Sequence, residues 1–294
     1  MSSNYSIKDL ELLSGIKAHT LRIWEQRYKV LKPERTESNI RYYTNTDLRR
    51  ILNISILNKN GHKISNIVEL NDYDLKLEVE KYLNNYLKES DQIESLYISL
   101  LELNEQRFEN IINNAIDNFG FENTIEKIVF PFLKHLGNMW QVGAISPAQE
   151  HFISNLIRQK VIANIDKAVP EKSLRPKTYL FFLPSNELHE MGLLYLHYLT
   201  KVRGCNCVYL GQSVPVEDLI SISTTIQPDY IVSVFTSRMP DMKLNSFLKA
   251  CQEGLVEPTF LLSGRLLMDP DEEIDLPSNR FILFKDFNDY KQRL

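Results

Sequence analysis

The fold of the N-terminal region is decided by residues 5–28, YSIKDLELLSGIKAHTLRIWEQRY. Ser6 is followed three residues later by Asp9, a pairing typical of a capped helix N-terminus. Gly15 fits the end of that helix, and a second helix follows after a turn of a few residues. Two short helices joined by a tight glycine turn predict a helix-turn-helix.

The next segment, residues 31–43, LKPERTESNIRYY, contains a proline and a polar tip, and it predicts a β-hairpin wing. Thr44 and Asp47 form a second capping pair, which opens a helix that Gly61 ends. We expect a short fourth helix around residues 64–70. Residues 71–90 are charged and loosely periodic, which indicates a partly helical linker.

The charge of the chain is strongly divided. The formal net charge is −4 overall, but residues 1–70 carry +5 and the remainder carries −9. A basic head on an acidic body confines affinity for phosphate groups to one end of the molecule.

Sequence-specific binding of DNA needs cations facing phosphates and polar groups facing base edges. The second helix and the wing supply both, whereas Trp24 and Tyr28 are expected to pack in the core. The alternative is a small helical interaction module with solvated charges. The predicted DNA-binding residues are Lys17, His19, Thr20, Arg22, Arg35, Asn39, Arg41 and Tyr42.

The rest of the chain predicts two further domains. Residues 91–169 show helical spacing almost throughout, which indicates a four-helix bundle. After a linker at residues 170–176, short apolar runs alternate with helices, which predicts a doubly wound, Rossmann-like parallel sheet. The fold class is thus multidomain α and α/β, with a winged helix-turn-helix (1–75), a helical bundle (76–170) and a sheet domain (175–294).

Several classes of protein are disfavoured. No run of eighteen apolar residues exists, and the first residues do not resemble a signal peptide, so we expect a cytoplasmic protein away from membranes. The three cysteines, Cys205, Cys207 and Cys251, form no CxxC pair, which favours reduced thiols over a disulfide framework or a zinc site.

The head resembles the winged-helix domain of MerR-family regulators. Residues 20–64 carry the match through a tryptophan–glutamate pair, an RY, a P-x-R-T, an RYY and a DL-x-x-I. The resemblance implies a homodimer bound to a palindromic promoter element in double-stranded DNA. The long dimerising helix of simpler members is absent as an uninterrupted heptad run, and we expect the bundle and sheet domains to replace it.

A histidine follows the first strand of the sheet domain. Glu187-x-His189-x-x-Gly192 lies between that strand and the next helix, at the edge where such sheets bind ligands. A neutral imidazole suits cobalt, and Glu187 can fix its tautomer. Gly192 lets a large group approach the backbone. The alternative is a hydrogen-bonded structural histidine.

This half resembles cobalamin-binding domains, in which the histidine of such a motif is the lower axial ligand of cobalt. The resemblance implies that Ser233 and the pair Ser263-Gly264 line the slot for the nucleotide tail, although Ser263 stands where two glycines are usual. The cobalamin-responsive MerR regulators likewise resemble Glu-x-His-x-x-Gly at the histidine motif.

An upstream pattern agrees. Trp140, then nine residues, then Glu150-His151 resembles the light- and cobalamin-responsive MerR regulators, in which the tryptophan covers the upper face of the cofactor. Taken singly, Trp140 reads as a core aromatic and Glu150 as a helix N-terminal acid. Those regulators place a histidine directly after the tryptophan, where this chain has Gln141, so we expect at most a weak or differently wired light response.

The sequence therefore predicts a transcription regulator, not an enzyme, whose oligomerisation or operator affinity is controlled by cobalamin, in the adenosyl or methyl form. We expect a homodimer or homotetramer. One alternative is a MerR-type regulator with a degenerate sensor. Another is a corrinoid methyl-carrier protein, which the basic head disfavours.

Overall fold

The computed structural model describes residues 5–36, 39–85, 89–141, 145–172, 174–237, 243–268 and 274–294, without the side chains of residues 80, 83–85, 89–90 and 138–141. The chain divides into two compact units, Met1–Ile157 and Arg158–Leu294, each of which is described by itself. The predicted head–bundle boundary lies inside the first unit, and the division into three domains stays a prediction.

The head has the predicted helix-turn-helix and wing. Its elements are α1 (Ile7–Ser14), α2 (Ala18–Tyr28), β1 (Glu34–Arg35), β2 (Arg41–Tyr42), α3 (Asn45–Lys59) and α4 (Ile64–Ile67). Both capping boxes form, Ser6 with Asp9 and Thr44 with Asp47. Gly15 ends α1 in the left-handed region, with φ of 67°. The fourth helix is shorter than expected, ending at Ile67.

The antiparallel wing is tied to the start of the chain. Tyr5 and Tyr43 exchange two backbone hydrogen bonds, of 2.9 and 2.8 Å, next to the β1–β2 hairpin. Both tyrosines are fully buried, and Trp24 of α2 is buried as predicted. Burial of these aromatic rings fixes the wing against the helices, because each ring removes a large apolar area from water.

Residues 71–90 are not simply a linker. Asp72–Asn85 forms a helix, α5, which packs against α3. Leu75 and Val79, four residues apart, are both buried and form the inner face of α5. The many charged residues around this narrow apolar stripe obscured the helix in the sequence. Residues 86–88 of the predicted linker lie outside the described residues.

The bundle region has the expected helices. They are α6 (Glu89–Glu102), α7 (Glu105–Phe119), α8 (Phe121–Thr124), α9 (Phe130–Gln141) and α10 (Pro147–Lys167). A π-helical turn, Ile125–Val129, joins α8 to α9, and the Phe130 N–H donates to the Ile125 carbonyl, five residues back. Pro131 follows at once, and the widened turn accommodates its ring and its missing N–H.

The second unit contains, after the last part of α10, the predicted doubly wound sheet. Its elements are β3 (Thr178–Pro184), α11 (Met191–Val202), β4 (Asn206–Val214), α12 (Val216–Ile226), β5 (Tyr230–Val234), α13 (Leu244–Gly254), β6 (Thr259–Ser263), β7 (Phe281–Leu283) and α14 (Phe287–Lys291). The five strands are parallel, in the order β4-β3-β5-β6-β7. The order reverses between β3 and β5, so their carboxyl ends flank the crevice where such sheets bind ligands.

The three cysteines are free, and Cys251 lies in the core of the sheet unit. Across the described ranges, no group of three or more His, Cys, Asp or Glu side chains is arranged to hold a metal ion. Within the same ranges, no helix is both long and apolar enough to cross a membrane.

A buried carboxylate joins the head to α6. Glu94 of α6 accepts a hydrogen bond from the Lys59 ammonium at the end of α3, and the Ser55 hydroxyl lies 3.4 Å from the same oxygen. Ser55 also donates to the Ser14 carbonyl at 2.7 Å, beside the turn of the helix-turn-helix. Burial raises the pKa of Glu94 to about 7, and the bond from Lys59 offsets that effect only in part.

The stability of the first unit should therefore fall as the pH rises. A pKa higher in the folded than in the unfolded state means that the fold prefers protonated Glu94, so its contribution is lost between the ordinary value of 4.5 and about 7. We expect the free energy of unfolding of Glu94→Gln to gain about 1–3 kcal/mol relative to wild type between about pH 5 and about pH 8.

Urea unfolding at the two pH values measures this difference. Glu105→Gln is the matched control, because it makes the same change at an exposed position on α7. A Glu94→Gln variant whose stability follows the same pH profile as wild type would contradict the assignment.

Candidate functional site

The first turn of α2 presents the predicted DNA-reading residues to solvent. Lys17 is the N-cap residue, 83% exposed, and its ammonium lies 3.3 Å from a carboxylate oxygen of Glu11. His19 and Arg22 are exposed and Thr20 is half-buried. Residues three apart share a helix face, so His19 and Arg22 present positive and polar groups on one side.

The wing orders two arginines. Arg35 and Arg41 are paired across β1 and β2, and both are exposed. The Arg35 guanidinium donates to the Asn39 side-chain oxygen at 2.6 Å. Asn39 has φ of 63°, a left-handed conformation that asparagine tolerates well. The amide predicted to contact DNA is therefore also part of the wing turn.

Glu25 connects the wing to α2, a contact that the sequence did not reveal. One Glu25 oxygen lies 3.5 Å from Arg41 Nε, and the other accepts from the Tyr43 hydroxyl at 2.9 Å. The hydroxyl of Tyr42 bonds within the wing to Glu34, which raises the pKa of the phenol. In the sequence, Glu25 appeared only as part of the tryptophan–glutamate pair of the resemblance, which does not identify Arg41 or Tyr43 as its partners.

We expect the affinity of the head for DNA to fall with rising salt concentration, and Arg41 to contribute to the slope of that fall. Each phosphate that a cation neutralises contributes about one unit to the slope of log affinity against log salt. We expect Arg41→Ala to lower that slope by about one unit and Arg41→Lys to retain it. Fluorescence anisotropy over a salt series measures the slope.

Lys249→Ala is the control, because it removes an exposed cation on α13, in the second unit. Unchanged affinity and slope in Arg41→Ala would show that the wing does not track the phosphate backbone.

The loop after β3 is organised by Glu187. This residue is 2% exposed and accepts four hydrogen bonds: from the backbone N–H and Nδ1 of His189, at 3.0 and 2.6 Å, and from the N–H groups of Thr236 and Ser237, at 2.8 and 2.7 Å. Burial alone raises the pKa of this carboxyl, but the bonds from His189, Ser237 and Thr236 outweigh it and lower the pKa to about 2. Glu187 is therefore ionised at neutral pH and ties the loops after β3 and β5 together.

His189 is oriented by this carboxylate. A carboxylate can only accept, so Nδ1 carries the proton and the neutral ring has its lone pair on Nε2. The side chain is 65% exposed. This is the arrangement that carboxylate partners impose on metal-binding histidines.

The two predicted slot positions, Ser233 and Ser263-Gly264, lie on the neighbouring strands β5 and β6, and Gly192 lies in the first turn of α11. Ser233 is fully buried in β5, and its hydroxyl has no hydrogen-bond partner among the described residues. Gly264 follows Ser263 at the end of β6 with φ of 121°, and a Cβ there would lie 2.2 Å from the Phe235 carbonyl oxygen. Gly192 is less confined, since a Cβ there would only touch Val234 at 4.0 Å.

The upstream residues belong to the first unit. Trp140 lies in the last turn of α9, and its side chain and that of Gln141 lie outside the described residues. Glu150 and His151 open α10, and Glu150 lies 2.7 Å from the Nδ1 atom of His151, which is 71% exposed. The structure brings these two side chains together, as their adjacency suggested.

Two contacts near the loop were invisible in the sequence. Glu190, next to His189, is buried and accepts hydrogen bonds from Arg158 Nε and, at 3.2 Å, from the Tyr209 hydroxyl. The backbone N–H groups that bind Glu187 were also missed, because no residue type marks a backbone donor.

The geometry defines a DNA-binding regulator, with a helix-turn-helix head and a parallel-sheet unit that displays an oriented histidine at its ligand-binding edge. Residues 5–73 match the MerR HTH family regulatory protein, and residues 92–163 match the B12 binding domain. The head of the chain is thus similar to MerR-family regulators and part of its helical region to the B12 binding domain, which supports a DNA-binding regulator that responds to cobalamin.

Two relatives span most of the chain. The HTH-type transcriptional repressor CarH of Myxococcus xanthus is 27% identical over 241 residues, 80% of each chain. The repressor CarA of the same organism is 25% identical over 252 residues, 83% of this chain and 82% of that one. The Methanosarcina barkeri monomethylamine corrinoid protein covers 60% of this chain and 85% of its own with 14% identity and a TM-score of 0.48, a similarity too low to support an argument.

Proposed function

We propose that this regulator senses cobalamin, and that the cofactor controls its assembly or its affinity for a double-stranded operator. The observation that carries the proposal is the Glu187–His189 pair at the reversal point of the sheet, in a chain with a MerR head and a B12-binding match. The relatives CarH and CarA are named repressors, and repression by a homodimer or homotetramer is the sense that we propose.

The residues present fit the cofactor. A bound cobalamin would supply a cobalt centre that an imidazole can ligate. His189 would hold the metal through Nε2, while Glu187 keeps Nδ1 protonated and the ring basic. The buried hydroxyl of Ser233, which has no hydrogen-bond partner among the described residues, would offer a hydrogen bond to the polar tail, and Ser263-Gly264 lies one strand away, at the end of β6.

Gly192 serves the same site from the first turn of α11, where the absence of a side chain keeps the backbone accessible. We assign Trp140, Glu150 and His151 to cofactor binding as well, because all three lie within the B12-binding match. Adenosylcobalamin and methylcobalamin are the forms that we propose.

The regulator acts by binding and needs no reaction. A cofactor shifts an equilibrium only through different affinities for two states, so cobalamin must bind one assembly state more tightly than another. A degenerate sensor would keep the head and lose this linkage. A corrinoid carrier would have no use for the exposed arginines of α2 and the wing.

Replacement of His189 should separate these possibilities. We expect wild type incubated with adenosyl- or methylcobalamin to retain the cofactor and to change its operator affinity. His189→Ala should lose the nitrogen signature of the ligand in the electron paramagnetic resonance spectrum of the cobalt(II) form, and with it the cobalamin-dependent change in gel-shift affinity.

His62→Ala is the matched control, since it removes an exposed histidine after α3. Wild-type protein that stays colourless with adenosyl-, methyl- and hydroxocobalamin would overturn the proposal.

Glu187 should control affinity through the orientation of His189. Glu187→Gln places an amide NH₂ group among the four N–H donors, so at least one of them loses its acceptor. We expect affinity for cobalamin to fall about 10- to 100-fold, and Glu187→Asp to retain more of it. Absorption titrations measure both variants, and an unchanged affinity in Glu187→Gln would remove Glu187 from the site.

A further inference from the structure

His189 is the central residue of a tight turn. The Glu190 N–H donates to the Leu188 carbonyl at 2.9 Å, a hydrogen bond between residues two apart. A three-residue turn of this kind fixes the backbone dihedral angles of its central residue. The Leu188 carbonyl also accepts from Nε2 of Gln212, on β4, at 2.8 Å. The direction in which the imidazole leaves the backbone therefore depends on where Leu188 and Glu190 are held.

The carboxylate of Glu190 anchors the other side of this turn. Glu190 is buried, its Oε2 atom accepts from the Tyr209 hydroxyl at 3.2 Å, and its Oε1 atom accepts from Arg158 Nε. The Tyr209 ring is stacked on His197 of α11, with the ring centroids 5.2 Å apart. The contact from β4 to Glu190 is thus made by a ring that packing holds in place.

Arg158 brings α10 into contact with the turn. It is the first residue of the second unit, so its bond to Glu190 lies within that unit. A second bond holds α10 there, because the Lys201 ammonium of α11 donates to the Ile165 carbonyl at 2.7 Å. Arg158 therefore acts on Glu190 from a helix that is itself fixed to α11.

We propose that Arg158 is a positioning residue for the cobalt ligand, because it keeps Glu190 inside the fold and so holds the turn that aims His189. This inference rests on the proposed function, since it concerns the ligand of cobalamin. A buried carboxylate that loses its cationic partner is strongly destabilised. Without the Arg158 guanidinium, Glu190 would turn toward water, and the turn at His189 would move with it.

A double-mutant cycle tests whether Arg158 acts through His189. We expect Arg158→Met to lower the affinity of the full-length protein for hydroxocobalamin about tenfold, and Arg158→Lys, which keeps a cation near Glu190, to retain more of it. In a His189→Ala background, Arg158→Met should cost less than about twofold, because the histidine that it positions is absent. Equilibrium dialysis measures all four proteins, and Arg175→Met, at an exposed position before β3, is the matched control.

Tyr209→Phe examines the same turn without leaving a charge unpaired, so it serves even if Arg158→Met does not fold. It removes one hydrogen bond to Glu190, and we expect about a threefold loss of affinity that is likewise absent in the His189→Ala background. Tyr73→Phe, at a 70% exposed position, is its control.

Hydrogen exchange of the cofactor-free protein gives a readout that does not involve cobalamin. Mass spectrometry of the segment 186–192 should show exchange about tenfold faster in Arg158→Met than in wild type, and unchanged exchange in Arg175→Met. If His189→Ala binds too weakly for the cycle, the electron paramagnetic resonance spectrum of the cobalt(II) form decides. Arg158→Met should then show the nitrogen splitting from His189 in a smaller fraction of the bound cofactor than wild type.

The two proposals fail in different ways. Equal losses of affinity with and without His189, unchanged affinity or full nitrogen splitting in a folded Arg158→Met variant, or unchanged exchange of the segment 186–192 would each overturn the role of Arg158 and leave cobalamin binding intact. Wild-type protein that does not retain cobalamin would overturn the proposed function and this inference with it.

Discussion

The carboxylate of Glu187 is the constraint on which the second unit's ligand edge depends. From the adjacent strands β3 and β5 the chain continues in opposite directions along the sheet, because the strand order reverses between them. Four N–H groups, two from His189 and one each from Thr236 and Ser237, donate to this one buried side chain and join the loop after β3 to the loop after β5. Such charge-assisted bonds are about twice as strong as neutral ones. A single acid thus fixes both the loop and the histidine that it carries.

The charged groups of the head, unlike Glu187, must stay exposed, because its cations have to be available to the phosphates of DNA. Lys17 and Arg41 have carboxylate neighbours, Glu11 and Glu25, at 3.3 and 3.5 Å. Exposed ion pairs of this kind contribute about 0–1 kcal/mol, so a phosphate can replace the carboxylate at little cost. These ion pairs orient the Lys17 and Arg41 side chains and still leave them able to bind a phosphate. The buried Glu187 of the second unit orders a loop. The exposed and weakly paired Lys17 and Arg41 of the first unit leave a positively charged surface open to a ligand.

The features that could be predicted from the sequence are those that depend on residues close together in the chain. Ser6 with Asp9, Thr44 with Asp47 and the turn at Gly15 are contacts within a few residues, and the alternation of strand and helix in the sheet unit is a local period. What it missed depends on partners distant in the chain. The charged surface of α5 concealed its apolar stripe. Two of the four donors to Glu187, the N–H groups of Thr236 and Ser237, come about fifty residues later and are backbone atoms, and Glu25 contacts Arg41 only once the wing has folded.

Regulation requires that the head respond to events elsewhere, and α3 is the element in the first unit that can transmit them. Near its N-terminus, Asp47 accepts the Lys32 N–H at 3.1 Å, which fastens the approach to the wing. At its C-terminus, Lys59 holds Glu94 of α6. A helix of fifteen residues is rigid and about 22 Å long. A displacement of α6 that carries the Lys59 end of α3 with it would therefore also move the other end of α3, next to the wing. Glu94 is buried at its contact with Lys59, so a displacement of α6 that parted the two groups would leave Glu94 without its partner, and this cost opposes their separation. The contact therefore couples a movement of α6 to α3 and does not let the two helices separate freely.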